Sequence, residues 1–435
     1  MSLFVIIVYI FILVLILRGA YNLDRFSRLF LTAFCVYWAV ALCLSLFSMG
    51  GLSVPKTETI LILVLGVLSF IFGFKSITIN SAYDIEGSYR LHDELQRFLN
   101  NKVFFGIVLL TSLYTASLYL RFIDVVVLQQ ISSTSEVRSM FWGNESIYGP
   151  LFKTLNDIYL SWFIHIARPL MCYALVYKRN KTFWPLLIFC FTYSGLSGGR
   201  IDYVFTLLPL ILVFGYFKEY NGNGSKKSKR VLLGTVGVAL FLLISWVSLL
   251  RSDSSSGGVL DAGTDVATEQ IATYSAGPTV AFDYAINHDR VRMLNGYKYG
   301  RLTLWPYISP ITFILYKAGL YATSKGAMED FTYYKQIEKV DIGIYWNALY
   351  TWNLYFYCDL GVVGVILFNF LFGLFIRYLI KRMYKLESIC SYLLCSMYIS
   401  MALLSPVDLF GYFSLMLLYV FIMFWKDRNR QKLLL

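Results

Sequence analysis

Charge is scarce in this sequence. Across 435 residues, Asp, Glu, Lys and Arg together make up 15%, where a soluble chain of this size carries about a quarter. Several enzyme signatures are absent as well. There is no GxxxxGK[ST] phosphate loop, no HExxH helix, no nucleophile elbow, and no close Asp-x-Asp pair in the loops assigned below to the outer side. The three histidines, His92, His165 and His288, do not cluster along the chain. Nucleotide hydrolysis and metal-centred chemistry are therefore not expected, nor is any cofactor. Six of the seven cysteines (Cys35, Cys43, Cys172, Cys190, Cys390 and Cys395) sit inside apolar runs, where a thiol behaves as a small hydrophobe. Only Cys358 falls near a predicted boundary, with no plausible partner, so neither a disulfide framework nor a zinc site is expected.

What the chain has is hydrocarbon. Its residues are 58% hydrophobic and its mean hydropathy is +0.61. The apolar residues gather in runs of roughly 17–22, enough to cross about 30 Å of bilayer core as helix. We read eleven candidate spans, at 2–17, 29–47, 59–75, 103–122, 154–177, 182–197, 201–217, 231–250, 361–380, 389–404 and 408–425. The first has no basic residue ahead of it and no small-residue cleavage site behind it, so it reads as a retained helix. Basic runs follow alternate spans, among them "KRNK" (178–181), "KKSKR" (226–230), "KRMYK" (381–385) and "KDRNRQK" (426–432). The short intervening loops hold little positive charge beyond Lys56, Arg138 and Arg200. This alternation puts the N-terminus outside and the C-terminus in the cytoplasm. The net charge of +12 is then orientation and anionic-lipid contact, not nucleic-acid binding.

Two segments break the rhythm. In "AYDIEGSYRLHDELQRFLNN" (82–101), Ile85, Leu91, Leu95 and Phe98 recur at near-helical spacing, which fits a cytoplasmic helix lying on the membrane surface with His92 solvated. From Arg251 to about Gly343 there is no clean span, although 308–322 has the character of a segment dipping into the bilayer. Nine basic and ten acidic residues nearly balance there, so an ordered outer loop, 251–344, is expected within a single membrane domain, 1–435. Function concentrates on such loops. No internal repeat is evident.

Span interiors read as almost free of charge. Arg168 fits a side chain snorkelling to the inner headgroups, His165 a packing residue, and Lys153 with Asp157 a helix-surface ion pair. "GLSGGRIDYVF" (195–205) is different. In the proposed topology Gly198, Gly199 and Arg200 open the span that runs inward, with Asp202 in its first turn. Unpaired backbone N–H groups, close approach at the glycines and a guanidinium make an anion site. The other reading is a tight turn with Arg200 reaching lipid phosphates. Arg251 follows the next span, where it either complements a helix C-terminus or adds to an anion site. Arg290, Arg292 and Arg301 bring further positive charge to the outer loop, and His288 and Asp289 beside them are candidates for a general base.

Three stretches resemble the Wzy-type polymerases, the O-antigen or oligosaccharide repeat unit polymerase family of bacterial envelopes. They are "SGLSGGRIDYVF" (194–205), "GYKYGRLTLWPYISP" (296–310) and "NALYTWNLYFYCDLGVVGVILFNFLFGL" (347–374). Their order matches too: a Gly-Arg step between spans, a large late outer loop, then acidic-x-Gly-x-x-Gly leading into the next span. The resemblance covers roughly 150–425. It implies an all-α polytopic glycosyltransferase of the GT-C kind, metal-independent, in the bacterial cytoplasmic (inner) membrane. Such an enzyme joins undecaprenyl-diphosphate-linked repeat units at the outer face. By resemblance Arg200 matches the Gly-Arg step, while Asn347, Asp359 and Gly361 match the pre-helix segment. Arg200, Arg251 and Arg290 are then expected to hold the diphosphate, with His288 or Asp289 as base. Gly198, Gly199, Arg292, Arg301, Asn347 and Asp359 are expected to contact substrate. The implied partners are the lipid-linked oligosaccharide, membrane lipid and a polysaccharide chain-length regulator. A lipid-oligosaccharide flippase is the alternative from another class. An O-antigen ligase is the nearer one, although ligases often carry a histidine where Trp346 stands.

Overall fold

The computed structural model describes residues 2–18, 23–48, 51–79, 86–125, 148–177, 181–196, 201–217, 271–288, 297–320, 340–343, 345–346 and 350–407. In chain order they form α1 (Ser2–Arg18), α2 (Arg25–Leu46), α3 (Thr57–Lys75), α4 (Glu86–Leu99), α5 (Lys102–Ile123) and α6 (Gly149–Leu155). A π-helical turn (Asn156–Leu160) joins α6 to α7 (Ser161–Tyr177), followed by α8 (Phe183–Leu196), α9 (Ile201–Leu207) and α10 (Leu210–Tyr216). Then come α11 (Ile271–Asn287), α12 (Trp305–Lys317), α13 (Asn353–Leu386) and α14 (Ile389–Leu403). Between α12 and α13 lies a two-residue antiparallel ladder, with Val340 opposite Trp346 and Asp341 opposite Tyr345. Four helices, α2, α3, α5 and α13, are long and apolar enough to cross a membrane, and four shorter apolar helical stretches accompany them.

Several expectations change here. The span expected over 201–217 is broken, because Pro209 separates α9 from α10. A proline lacks the N–H that would continue the ladder. Residues 251–343 are not all loop: α11 runs for 17 residues with Pro278 inside it. The spans expected at 231–250 and 408–425 lie outside the described residues, as do the Lys153 and Asp157 side chains.

The chain divides into two compact units. The first comprises Met1–Asp84 and Glu269–Leu435. Its centre is the pairing of α3 with α13, brought together by glycines. A Cβ added at Gly73 would stand 2.0 Å from the Phe370 carbonyl oxygen, and one at Gly373 would stand 2.1 Å from that of Phe70. Small residues at such a crossing let backbones approach closely, the usual basis of helix association in lipid. Aromatic rings pack against the crossing, with Phe34 stacked on Phe70 at 4.2 Å and Trp352 at 5.8 Å from Phe70. On α11, the buried Ala276, Val280, Ala281, Phe282 and Ala285 belong to the core of this unit, and α11 packs on α2.

Charge is also buried in this unit, against the reading of nearly charge-free spans. Arg377 of α13 donates to Asp24 Oδ1 at 2.6 Å, to the Ser27 hydroxyl, and from Nε to the Ile77 carbonyl at 3.0 Å. The Asp24 carboxylate also accepts from the Ser27 amide at 3.0 Å, capping α2, and from the Tyr384 hydroxyl at 3.2 Å. Both side chains of the pair are 1% exposed. Together these bonds fasten the α1–α2 connection and the end of α3 to the far half of α13.

The second unit is Ile85–Thr268. Its amphipathic helix α4 forms where the spacing predicts, with Leu91, Leu95 and Leu99 buried. His92 is not solvated, however. It is buried, its Nδ1 lies 2.7 Å from the Tyr173 hydroxyl, and the Tyr177 ring meets it edge-on at 4.7 Å. Burial lowers its pKa from the ordinary 6.5, while the neighbouring Asp93 opposes the shift. The stability this docking contributes is present in full above the unfolded value and lost as pH falls through the lowered folded one. Amide exchange in α4, corrected for intrinsic rates, is therefore expected to quicken at acidic pH. His92→Gln should abolish that difference, and a wild-type α4 equally protected at both pH values would contradict the assignment.

Candidate functional site

Asp359 is the buried centre of the best-defined site. Backbone geometry explains why it is free to act outside its helix. α13 is helical through Asp359, breaks at Leu360 (φ −147°, ψ 21°) and Gly361 (φ 63°, ψ −146°), then resumes. Only glycine adopts such a φ without strain. A Cβ at Gly361 would also stand 2.9 Å from the Tyr297 hydroxyl oxygen. At the break the Asp359 carboxylate accepts from the amides of Leu302 at 3.1 Å and Thr303 at 2.8 Å, and from the Thr303 hydroxyl at 2.6 Å. All three are donors, the complement of an ionised carboxylate. The carbonyls of Cys358 and Asp359 accept from the amides of Lys298 and Tyr299 at 2.9 and 3.1 Å. The turn 297–304 is thus bound to α13 at five points by these contacts alone.

Asp359 is fully buried and engaged by the protein's own donors, so it holds the turn in place. The side chain the turn presents is Arg301, which is exposed. Tyr299, in the left-handed region at φ 51°, is 78% exposed beside it.

His288 ends α11 and is exposed. Its ring stacks on Tyr284 at 4.0 Å, and its Nδ1 lies 3.1 Å from the Tyr284 carbonyl. A neutral imidazole donating from Nδ1 would carry its lone pair on Nε2, the form a general base requires. Nearby on the same helix, Asn287 accepts from Lys56 Nζ at 3.1 Å, and Asp283 accepts from the Lys56 amide at 3.0 Å and from the Thr59 hydroxyl. Lys56, which stood out as a basic residue in a short intervening loop, is thereby tied to α11.

In the second unit, Arg168 does not reach the headgroups. It is buried and donates to the Asp202 carboxylate and main-chain carbonyl, each at 3.2 Å, and to the Ser194 hydroxyl at 3.3 Å. Its guanidinium lies 5.5 Å from the centre of the Phe205 ring, a cation–π arrangement. Ser194 and Asp202 flank the Gly-Gly-Arg step, so a buried cation braces the chain on both sides of it. Asp202 is thus more than a favourable charge in a first helical turn. Reading helices one at a time missed this pair, because its members stand 34 residues apart. The signal available was an arginine deep in one apolar run and an acid opening another.

Gly198, Gly199, Arg200, Arg251, Asp289, Arg290, Arg292 and Asn347 lie outside the described residues. Among the described residues no group of His, Cys, Asp and Glu has the arrangement of a metal site. Compared with protein-family models, curated proteins and solved structures, the chain matches none.

Proposed function

We propose that this protein is a membrane glycosyltransferase of the GT-C kind, with eleven spans. In this reading it joins oligosaccharide repeat units carried on undecaprenyl diphosphate at the outer face of the bacterial cytoplasmic membrane. The observation that carries it is the union of two of the three stretches bearing the resemblance. "GYKYGRLTLWPYISP" is fastened to "YCDLGVVG" by Asp359, and the turn so held displays an arginine. The third stretch, with its Gly-Gly-Arg step, is braced by Arg168 and Asp202. A glycosyl diphosphate arrives activated, so the protein's task is to stabilise the departing diphosphate and deprotonate an acceptor hydroxyl. Arg200, Arg251 and Arg290 are assigned the first task, and His288 or Asp289 the second.

Arg200→Ala is expected to slow chain lengthening by roughly 30- to 1000-fold, the effect of removing one preplaced donor from a developing anion. The measurement uses purified protein, lipid-linked repeat units and gel resolution of product length. A variant that inserts normally and still makes full-length polymer removes Arg200 from the mechanism. Wild-type protein that moves lipid-linked units across vesicles without lengthening them would favour the flippase.

A further inference from the structure

The turn 297–304 and α12 together point to a use beyond glycosyl transfer. We infer that they form a docking surface for one anionic phospholipid of the surrounding leaflet. Arg301 would meet its phosphate, and the exposed stripe of α12 would lie along its acyl chains. The inference holds whether or not the protein is a polymerase.

Four observations converge on this. First, α12 has 13 residues, about 20 Å at 1.5 Å per residue, too short to cross a hydrocarbon core of about 30 Å. Secondly, large apolar side chains are exposed along one side: Leu304 just before the helix and Ile311 and Ile314 on it are 44%, 59% and 62% exposed, at spacings of seven and three residues that keep them on one side of a helix. Leu320, just beyond the helix, is 75% exposed. Thirdly, charge near the stripe has one sign: residues 297–320 contain Lys298, Arg301 and Lys317 and no Asp or Glu. A short helix with a basic flank and an apolar face lies in the headgroup–acyl boundary, and its cations favour anionic lipid. Fourthly, the polar end is held rigidly in a costly form. Tyr299 adopts a left-handed conformation, yet its amide and that of Lys298 are fixed to α13. A strained residue persists where its surroundings over-determine it, commonly at ligand-holding sites. Here the strain displays a tyrosine ring, at home at headgroup depth, beside an exposed guanidinium.

The occupant is a lipid rather than a free phosphate, because the cation adjoins exposed apolar side chains at Leu304, Ile311 and Ile314. A second copy of this chain is disfavoured, because two such surfaces would oppose like charges.

The experiment uses the full chain in nanodiscs of phosphatidylcholine with or without phosphatidylglycerol. Native mass spectrometry after release counts the lipids retained. Arg301→Gln is expected to lower retained phosphatidylglycerol by about fivefold, the effect of one basic residue at an anionic surface, with phosphatidylcholine unchanged. Arg301→Lys should restore most of it. A spin label at Ile314→Cys, with the two incompletely buried thiols Cys43 and Cys390 changed to serine, should be reached by oxygen and not by an aqueous nickel chelate. Equal phosphatidylglycerol retention in wild type and Arg301→Gln would overturn the inference. So would a label open to the nickel chelate, or a dimer that dissociates on Ile314→Asp.

Discussion

Asp359→Ala is expected to cost about 3–5 kcal/mol and to release the turn 297–304 from α13. The estimate rests on what the substitution leaves behind. The amides of Leu302 and Thr303 and the Thr303 hydroxyl lose their acceptor, and each orphaned buried donor costs about 1–3 kcal/mol. Partial relaxation keeps the total below the sum of the extremes. Asp359→Asn retains one carbonyl oxygen but turns an amide N–H toward a donor, so an intermediate loss is expected. Two measurements bear on this: the melting temperature of the detergent-solubilised protein, and the rate of limited tryptic cleavage at Lys298 and Arg301, with fragments identified by mass. The turn should be cut faster in the alanine variant before global unfolding. Unchanged melting together with unchanged cleavage would show that the carboxylate does not hold the turn.

Removing either member of the Asp24–Arg377 pair is the second change of this size. Breaking a buried ion pair from one side strands the other charge and costs about 3–5 kcal/mol. Arg377→Met and Asp24→Leu should each lower the yield of monodisperse protein sharply. The double variant should recover a large part of the loss, because apolar side chains of similar volume often replace a buried pair at little net cost. Arg377→Lys should fall between, since an ammonium cannot reproduce the guanidinium's fixed fork toward Asp24, Ser27 and the Ile77 carbonyl. Thermal stability of the four proteins completes a double-mutant cycle. Losses that simply add would mean the two residues act independently.

What the sequence discloses and what it hides divide along the range of the interaction. Runs such as 59–75 and 103–122 contain their own reason to be helical, and α3 and α5 appear there. The amphipathic pattern of 82–101 likewise yields α4, since residues such as Leu91 and Leu95 declare a face without a partner being known. Partners separated by long stretches of chain are another matter. Arg377 lies 353 residues from Asp24, next to the basic run that sets topology, and so passes for one more inside charge. His92 looks like the polar side of α4 until Tyr173 and Tyr177 close over it. α11 is obscured for a different reason. Its buried face is built from small side chains such as Ala276 and Ala281, and Gly277–Pro278 interrupts the pattern that hydropathy detects. Of the candidate site, the acidic-x-Gly-x-x-Gly segment is visible as a motif. That Asp359 binds back to an earlier turn emerges only once the break at Gly361 is seen.

That break also bears on how the sequence can vary. Each residue added to a helix rotates what precedes it by about 100°. An insertion between Gly361 and the crossing at Gly373 would therefore swing the carboxylate away from its turn while leaving hydropathy untouched. Side chains facing outward on the same stretch, such as Val363 at 67% exposed, can be exchanged for almost any hydrocarbon of similar bulk. Along this helix, heredity should guard intervals more jealously than identities.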